Sequence, residues 1–357
     1  MIVLFSSCGK ETNNEYSYTS KTIVNNMPPL MGSCIESTGS LLVFSLPMLA
    51  DNFQSAIMSA KIHKITDNGN DNIIFDFKDQ TFSYYGWSKD TFSNIYAWVP
   101  DNVKVNLVQN SQNRIFFSCN NGSSVYWIDN NDQITIQYID KVVSMTSNRQ
   151  DGVYIITSPI FSGSSTSYTL SSPPEIYEIN KMNSRSLYFI FPQNITFNSN
   201  CGYEGYPSAM YPIDIHIDMA VDKENNIFVS FGYDNKIFEI DNNKILSTYL
   251  DNIFCPVSIA IDNSNRILVV SAPKFIKDSN ELFKMIKPVE VYLIKSKTAS
   301  ELIYKGSIAS KEFGGCHYYD SNDDCYMLSN TDYDISVNSK NEIYLVSTDE
   351  GKIILIK

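Results

Sequence analysis

The sequence predicts an all-β fold: a six-bladed β-propeller of four-stranded antiparallel blades, closed by a strand from the N-terminal region. A pattern of apolar strand, Asp/Asn turn and second apolar strand recurs six times in 357 residues. No stretch shows sustained helical periodicity with capping residues. Hydrophobic residues make up 43% of the chain, which is enough for a large core and excludes a disordered polypeptide.

The repeat defines the unit of the fold. Its clearest copies lie at 219–230, 259–270 and 335–346, with weaker copies at 107–118, 144–156 and 35–44. Each copy is followed by a third apolar strand, and five copies then turn into a fourth. The pattern predicts a four-stranded meander joined by hairpins. One such sheet cannot bury both faces alone, so we expect the units to stack radially.

The two ends of the chain are predicted to complete one unit. The sixth copy ends at Lys357, directly after its third strand, while residues 16–24 form a strand without a partner of its own. Pairing the two removes two exposed strand edges. We therefore expect 16–24 to be the outer strand of the last blade within a propeller spanning 16–357. Residues 1–15 are expected to be a signal remnant with a lipobox and a polar tether.

The core of the repeat, clearest at 220–229 and 260–269, reads Ala-Val/Ile-Asp, a short polar turn, and then an apolar strand. It resembles the NHL-type family of six-bladed propellers over about residues 16–357, and it is also similar to the gluconolactonase-like relatives of that architecture. The resemblance implies six blades. A seven-bladed ring, with one degenerate blade inside a long insertion, is the alternative.

The N-terminal residues resemble the lipobox of a bacterial lipoprotein. A short apolar stretch and two serines precede Cys8, and Gly-Lys-Glu follows it, as in lipoproteins of the Bacteroidetes. The resemblance implies a signal peptide, lipidation of Cys8 with a palmitate-type chain, and an outer-membrane lipoprotein of the cell envelope, periplasmic or surface-exposed. An ordinary N-terminus with a chance cysteine is the alternative.

The remaining six cysteines fit an exported protein, because an even number permits disulfides in an oxidising compartment. Cys316 and Cys325 flank one polar segment and are expected to pair. Cys34, Cys119 and Cys255 lie near predicted strands, where we expect them to be small buried hydrophobic residues.

Long insertions are predicted to emerge on one face of the ring, where function would concentrate. They fall after the second or the fourth strand of units 1, 3 and 5, at 45–59, 79–103, 158–173, 192–214, 271–288 and 307–332. Their aromatic side chains suit a glycan or protein ligand. The candidate binding residues are Trp87, Trp98, Tyr206 and Tyr319. The alternative is that these residues pack the loops onto the ring.

Polar residues are predicted to share one position on the innermost strands. Aligning the copies places four candidate ligand-binding residues in one column at the channel mouth: Asp218, Asp334, Asn106 and Ser258. Carboxylates that converge on an axis can hold Ca²⁺, so Asp218 and Asp334 are candidate metal ligands. The resemblance to gluconolactonase-like enzymes implies a metal at this place. A solvated polar channel is the alternative.

Of the three histidines, His216 lies closest to this column and is the candidate catalytic base. His63 lies on a predicted strand and is expected to be structural. No Walker, zinc-protease or nucleophile-elbow motif occurs in the chain.

Composition and motifs together favour a non-enzymatic lipoprotein that binds a glycan or protein with its long-loop face. We expect a monomer held at the membrane only by its lipid anchor, without a cofactor other than a possible Ca²⁺. A net charge of −12 argues against a nucleic-acid partner. The first alternative is a metal-dependent lactonase or hydrolase with its site at the channel mouth. The second is a structural subunit of an assembly.

Overall fold

The computed structural model describes residues 18–25, 27, 30–45, 61–77, 105–119, 122–148, 150–164, 167–194, 203–204, 216–277, 282–307, 313–314, 333–347 and 351–357. These residues form strands almost throughout, which confirms the all-β prediction. The single 3₁₀ turn within them is Gly232–Asp234. No helix in the described part of the chain is long and apolar enough to cross a membrane.

The strands run in chain order from β1 to β29. The first ten are β1 (Ser20–Val24), β2 (Leu30–Ile35), β3 (Leu41–Ser45), β4 (Lys61–Ile65), β5 (Asp71–Asp76), β6 (Val105–Gln109), β7 (Ile115–Cys119), β8 (Gly122–Ile128), β9 (Ile134–Ser147) and β10 (Val153–Thr157). Next come β11 (Ile160–Ser164), β12 (Ser167–Ser172), β13 (Glu175–Ile179), β14 (Arg185–Ile190), β15 (Tyr203–Glu204), β16 (Ile217–Val221), β17 (Ile227–Phe231), β18 (Lys236–Ile240) and β19 (Leu246–Asp251). The last are β20 (Pro256–Ile261), β21 (Ile267–Ser271), β22 (Lys274–Lys277), β23 (Leu282–Lys287), β24 (Glu290–Ser296), β25 (Ala299–Lys305), β26 (Phe313–Gly314), β27 (Tyr333–Val337), β28 (Ile343–Ser347) and β29 (Lys352–Ile356).

The repeated units are four-stranded antiparallel sheets. Unit 1 has the order β2-β3-β4-β5, unit 4 the order β16-β17-β18-β19, and unit 5 the order β20-β21-β24-β25. Unit 6 has the order β27-β28-β29-β1, in which β1 pairs antiparallel with β29 and places Ser20 opposite Ile356. The N-terminal strand and the last three strands of the chain therefore belong to one sheet.

Units 2 and 3 are joined by the 14-residue strand β9. Its first part pairs with β8 and completes unit 2, and its last part pairs with β10 and begins unit 3, so the two units form one seven-stranded sheet. Between its two parts lies Lys141, whose φ of 57° is in the left-handed region of the backbone. The sequence predicts two separate strands here. It could not show that they are continuous, because nothing in the residue type of a lysine indicates a left-handed backbone.

An Asp or Asn side chain fixes the first turn of five units. In unit 4, Asp222 Oδ1 accepts the N–H groups of Glu224 (2.9 Å) and Asn226 (2.8 Å), while Asn225 has a φ of 64°. Asn and Asp make this bond readily, and they tolerate the left-handed region better than other residues. The same turn occurs at Asn110, Asn148, Asp262 and Asn338. In unit 5, Asp262 also accepts the Nε–H of Arg266 at 2.7 Å.

Apolar layers fill the space between neighbouring units. Successive residues of a strand point to opposite faces, so Phe116 packs toward unit 3 while Phe117 packs toward unit 1. The described residues form six such clusters, one for each pair of neighbours, including units 6 and 1. Both faces of each unit are buried, which explains why strands such as β21 read as continuous apolar runs.

The first strand of each unit contacts the first strands of two other units. β2 contacts β6, β6 contacts β9, β9 contacts β16, β16 contacts β20, β20 contacts β27, and β27 contacts β2. We call the end of the units that carries the Asp/Asn turns the turn face, and the opposite end the loop face. The second strand of each unit ends at the loop face.

Some insertions pair with one another beyond the loop face. β11 and β12 form a hairpin between the second and third strands of unit 3. β22 and β23, inserted at the same place in unit 5, form a small sheet with β15 and β26 from two other insertions. Segments that are far apart in sequence therefore meet at this end.

Unit 5 also contains a buried carboxylate, Glu290. It accepts hydrogen bonds from the Tyr292 hydroxyl at 2.5 Å and from the ammonium groups of Lys287 at 3.1 Å and Lys305 at 3.3 Å. Burial raises the pKa of Glu290, but these donors outweigh burial and hold the pKa below its usual value.

Candidate functional site

The four residues of the predicted column occupy equivalent positions on the innermost strands. Each lies opposite the fourth residue of its neighbouring second strand, as Asp218 lies opposite Ser230. The other three pairs are Asn106 with Ser118, Ser258 with Val270, and Asp334 with Val346. All four side chains are buried. The structure thus brings Asp218, Ser258 and Asp334 into contact, while Asn106 holds the equivalent position but bonds within its own unit.

Asp218 links its own unit to the units on both sides. Its Oδ1 accepts hydrogen bonds from Ser144 Oγ of unit 3 at 2.7 Å and from the N–H of Met219 at 2.9 Å. Its Oδ2 accepts from Ser258 Oγ of unit 5 at 2.7 Å and from the N–H of Ile259 at 3.0 Å. Each carboxylate oxygen is therefore held by two donors.

Asp334 makes the corresponding contacts in unit 6. Its Oδ2 accepts from both the N–H and the hydroxyl of Ser33 in unit 1, at 2.7 and 2.8 Å. Its Oδ1 accepts from the N–H of Ile335 at 3.0 Å and lies 3.1 Å from Ser258 Oγ. The Ser258 hydroxyl lies between the two carboxylates, and it can donate its one proton to only one of them at a time.

Units 1 and 2 depart from this pattern. Asn106 donates from Nδ2 to Ser118 Oγ of its own unit at 3.2 Å. The equivalent position in unit 1 is Gly32, where a Cβ would lie 1.7 Å from the carbonyl oxygen of Val105. Only glycine permits this close approach of two backbones.

The resemblance to gluconolactonase-like enzymes implies a metal at this centre, but the two carboxylates do not fit that role. A metal ligand needs a free lone pair, and each oxygen of Asp218 and Asp334 already lies within hydrogen-bond distance of two donors. Within the described residues, no group of three or more His, Cys, Asp or Glu side chains could hold a metal ion.

Sequence reasoning missed Ser33 and Ser144, which supply hydroxyl donors to the carboxylates. Ser144 stands four residues before the turn residue Asn148, as Asp218 stands four before Asp222. Aligning the weaker copies on the turn residue could therefore have found it. Ser33 lies one residue after the column position of unit 1, which is Gly32, so alignment on the column does not select it.

His216 lies at the loop face, directly before β16, and is half-buried. Its carbonyl oxygen accepts the N–H of Gly232 at 2.9 Å, at the end of unit 4 opposite the Asp222 turn. The candidate base therefore stands two residues before Asp218 on the same chain segment, at the loop-face end of β16.

His63 lies in a hydrogen-bonded row with Ser45 and Asp71. His63 Nε2 is 2.7 Å from Ser45 Oγ, and its Nδ1 is 2.8 Å from Asp71 Oδ1. The Ser45 residue is 2% exposed, whereas the Asp71 side chain is 41% exposed. A nucleophilic serine needs the reverse arrangement. Units 3, 5 and 6 also place a buried hydroxyl at the end of the second strand. All three residues belong to unit 1, so we assign this row to the packing of that unit.

The cysteines differ in part from expectation. Cys34 is free and buried, and burial raises the pKa of its thiol. Cys255 is disulfide-bonded, so the expectation that it is only a small hydrophobic residue is wrong. Sequence spacing does not reveal such a bond, because pairing depends on which strands meet in space.

Several predicted residues lie outside the described part of the chain. They are the aromatic candidates Trp87, Trp98, Tyr206 and Tyr319, the lipidation candidate Cys8, and the predicted pair Cys316 and Cys325.

No protein-family model and no curated protein matches the chain. Solved structures are similar to it in fold. A gluconolactonase from Xanthomonas campestris has a TM-score of 0.52 at 8% identity, covering 95% of this chain and 89% of that one. A putative gluconolactonase has 0.50 at 7%, covering 96% and 93%. A virginiamycin B lyase from Staphylococcus aureus has 0.48 at 11%, covering 95% and 99%.

These structures are β-propellers, and the likeness shows that fold for this chain. It also corrects the expectation that the protein binds a ligand without catalysing a reaction. The solved structures that share the fold include proteins named as gluconolactonases, which are enzymes.

Proposed function

We propose that the chain is a hydrolase of cyclic esters, a lactonase, with its reaction site at the loop-face mouth of the innermost strands. The observation that carries this proposal is the fold shared with a protein named as a gluconolactonase and one named as a putative gluconolactonase, over 95% and 96% of this chain. The half-buried His216 at the same mouth supplies a general base.

His216 is well placed for this role for two reasons. It is half-buried, so solvent and a small substrate can reach the residue, yet its main chain is fixed by the bond to Gly232. It also follows an insertion at the loop face, where long segments could enclose a substrate. Histidine is the side chain most often used to move a proton near neutral pH.

The proposed chemistry needs only water as the second reactant. The neutral imidazole takes a proton from water while the water oxygen attacks the lactone carbonyl carbon. The ring C–O bond then breaks, and the leaving alkoxide takes the proton back from the imidazolium. One lactone and one water give one hydroxy acid. No step passes through a metal held by Asp218 or Asp334.

The fold that carries this site is proposed to be one closed six-bladed ring fastened by β1. The contacts between innermost strands support it, since each touches the next and β27 touches β2. The apolar cluster between units 6 and 1 and the pairing of β1 with β29 support it as well.

We further propose that the protein is exported to the cell envelope as a lipoprotein anchored at Cys8. The disulfide at Cys255 supports an oxidising compartment, since disulfides are rare in reducing ones. Intact-mass measurement on membranes of the native host tests the anchor, and an unmodified Cys8 would contradict it.

The lactonase proposal is tested with purified protein and a panel of sugar and aliphatic lactones, following acid release with a pH indicator. We expect hydrolysis by the wild type and a loss of about 10²-fold or more in kcat for His216→Gln. Asn242→Ala is the matched control, because Asn242 is exposed at the turn face of the same unit. Folded wild type without lactone hydrolysis, or a fully active His216→Gln, would overturn the proposal.

A further inference from the structure

We propose that Asp218 and Asp334 form a metal-independent clasp that fastens five of the six units at the centre of the fold. The clasp consists of these two carboxylates and the three serine hydroxyls that meet them: Ser33, Ser144 and Ser258. It occupies the place where the resemblance implies a metal. The inference does not depend on the proposed lactonase function.

The connectivity of the bonds supports a fastening role. Asp218 joins units 3, 4 and 5, because it accepts hydroxyls from Ser144 and Ser258 on either side. Asp334 joins units 5, 6 and 1, because it lies against Ser258 on one side and accepts from Ser33 on the other. Ser258 is common to both, and its hydroxyl donates to one carboxylate at a time. Its oxygen also accepts the N–H of Ile335 in unit 6 at 3.2 Å, so units 5 and 6 stay joined while the hydroxyl bonds to Asp218.

Main-chain donors make the clasp difficult to replace by a cation. Asp218 Oδ2 accepts the N–H of Ile259, and Asp334 Oδ2 accepts the N–H of Ser33. Both N–H groups belong to the next unit, at the residue just after the column position. A cation that displaced them would leave buried N–H groups without an acceptor, which is costly. Hydrogen bonds to a buried carboxylate, by contrast, stabilise its charged form.

Unit 2 provides an internal comparison. Its column residue Asn106 bonds to Ser118 of the same unit, and neither carboxylate contact reaches it. The backbones of units 1 and 2 instead approach directly at Gly32 and Val105. A substitution at Asn106 should therefore perturb one unit, whereas one at Asp218 should loosen three.

The test compares thermal unfolding of the wild type in EDTA and in millimolar CaCl₂ or ZnCl₂, with metal binding followed by titration calorimetry. We expect the same Tm in all three solutions and no binding that depends on Asp218. Asp218→Asn should lower Tm by about 5 °C or more, because its amide would face N–H and O–H donors. The control Asn106→Ser should lower Tm by less.

Ser144→Ala and Ser258→Ala keep the test decisive if Asp218→Asn does not fold. Each removes one hydroxyl donor and should lower Tm, with Ser258→Ala the more harmful because both carboxylates face that hydroxyl. A wild-type Tm that rises with Ca²⁺ or Zn²⁺, with the rise abolished in these variants, would overturn the proposal. So would serine variants that melt like the wild type.

Discussion

Deleting residues 1–24 removes β1 and leaves β29 as the open edge of unit 6. Besides the pairing of β1 with β29, the deletion removes two sets of contacts. The half-buried side chains of Ile23 and Val24 pack on the apolar cluster between units 6 and 1. The backbones of Thr19 and Lys357 exchange two hydrogen bonds, at 2.7 and 2.9 Å. The truncation removes both contributions at once.

The magnitude follows from these contacts. The two half-buried aliphatic side chains contribute about 2 kcal/mol, and the two backbone bonds about 1 kcal/mol each, so these contacts alone contribute about 4 kcal/mol. The pairing of Ser20–Val24 with β29 adds to this loss. A typical domain has only roughly 5–15 kcal/mol of stability in total. The urea midpoint should therefore fall by about 1 M or more.

The assay is urea unfolding followed by tryptophan fluorescence. A chain that lacks only residues 1–17 is the matched control, because it keeps the whole of β1, and it should unfold like the full chain. A synthetic peptide spanning 18–27 should restore part of the lost stability by pairing again with β29. An unchanged midpoint after deletion of residues 1–24 would refute the importance of this strand.

Three further perturbations test other parts of the fold. Gly32→Ala should prevent folding, because its Cβ would lie 1.7 Å from the Val105 oxygen, and soluble expression with a native circular-dichroism spectrum would contradict this. Asp262→Ala should lower the free energy of unfolding by about 2 kcal/mol, since the turn N–H groups and Arg266 lose their acceptor. Urea unfolding measures this loss, and an unchanged midpoint would contradict the role of Asp262 in the turn. The lowered pKa of Glu290 means that its ion pairs stabilise the fold above the unfolded pKa of about 4.3 and are lost as pH falls through the lower folded value. Melting temperature against pH should therefore fall less steeply in acid for Glu290→Gln, and equally steep curves would exclude this contribution.

Much of the architecture could be predicted from local patterns. Continuous apolar runs such as β21, bounded by Asp/Asn turns, specify strands with both faces buried. The turn residue Asp222 and its counterparts mark the same position in successive units, so the copies can be aligned without a structure. The continuity of β9 could not be predicted, because it depends on one left-handed residue, Lys141.

The candidate site was predictable in position but not in chemistry. Alignment of the strands places Asp218, Ser258 and Asp334 together, and the structure does the same. Whether a carboxylate is free to bind a cation depends on donors from neighbouring units, such as the N–H of Ile259. Those donors are backbone N–H groups, which every residue except proline carries. The residue types in the sequence therefore cannot predict where they will lie.

The continuous strand β9 has a consequence for how relatives of this chain could change in size. The junction between units 4 and 5, by contrast, passes through residues 252–255, which lie between β19 and β20 and where a whole copy could be gained or lost during evolution. At residues 140–141 one strand serves two units, so a copy could not be inserted or deleted there without breaking both. We expect units 2 and 3 to be inherited together, as a doublet.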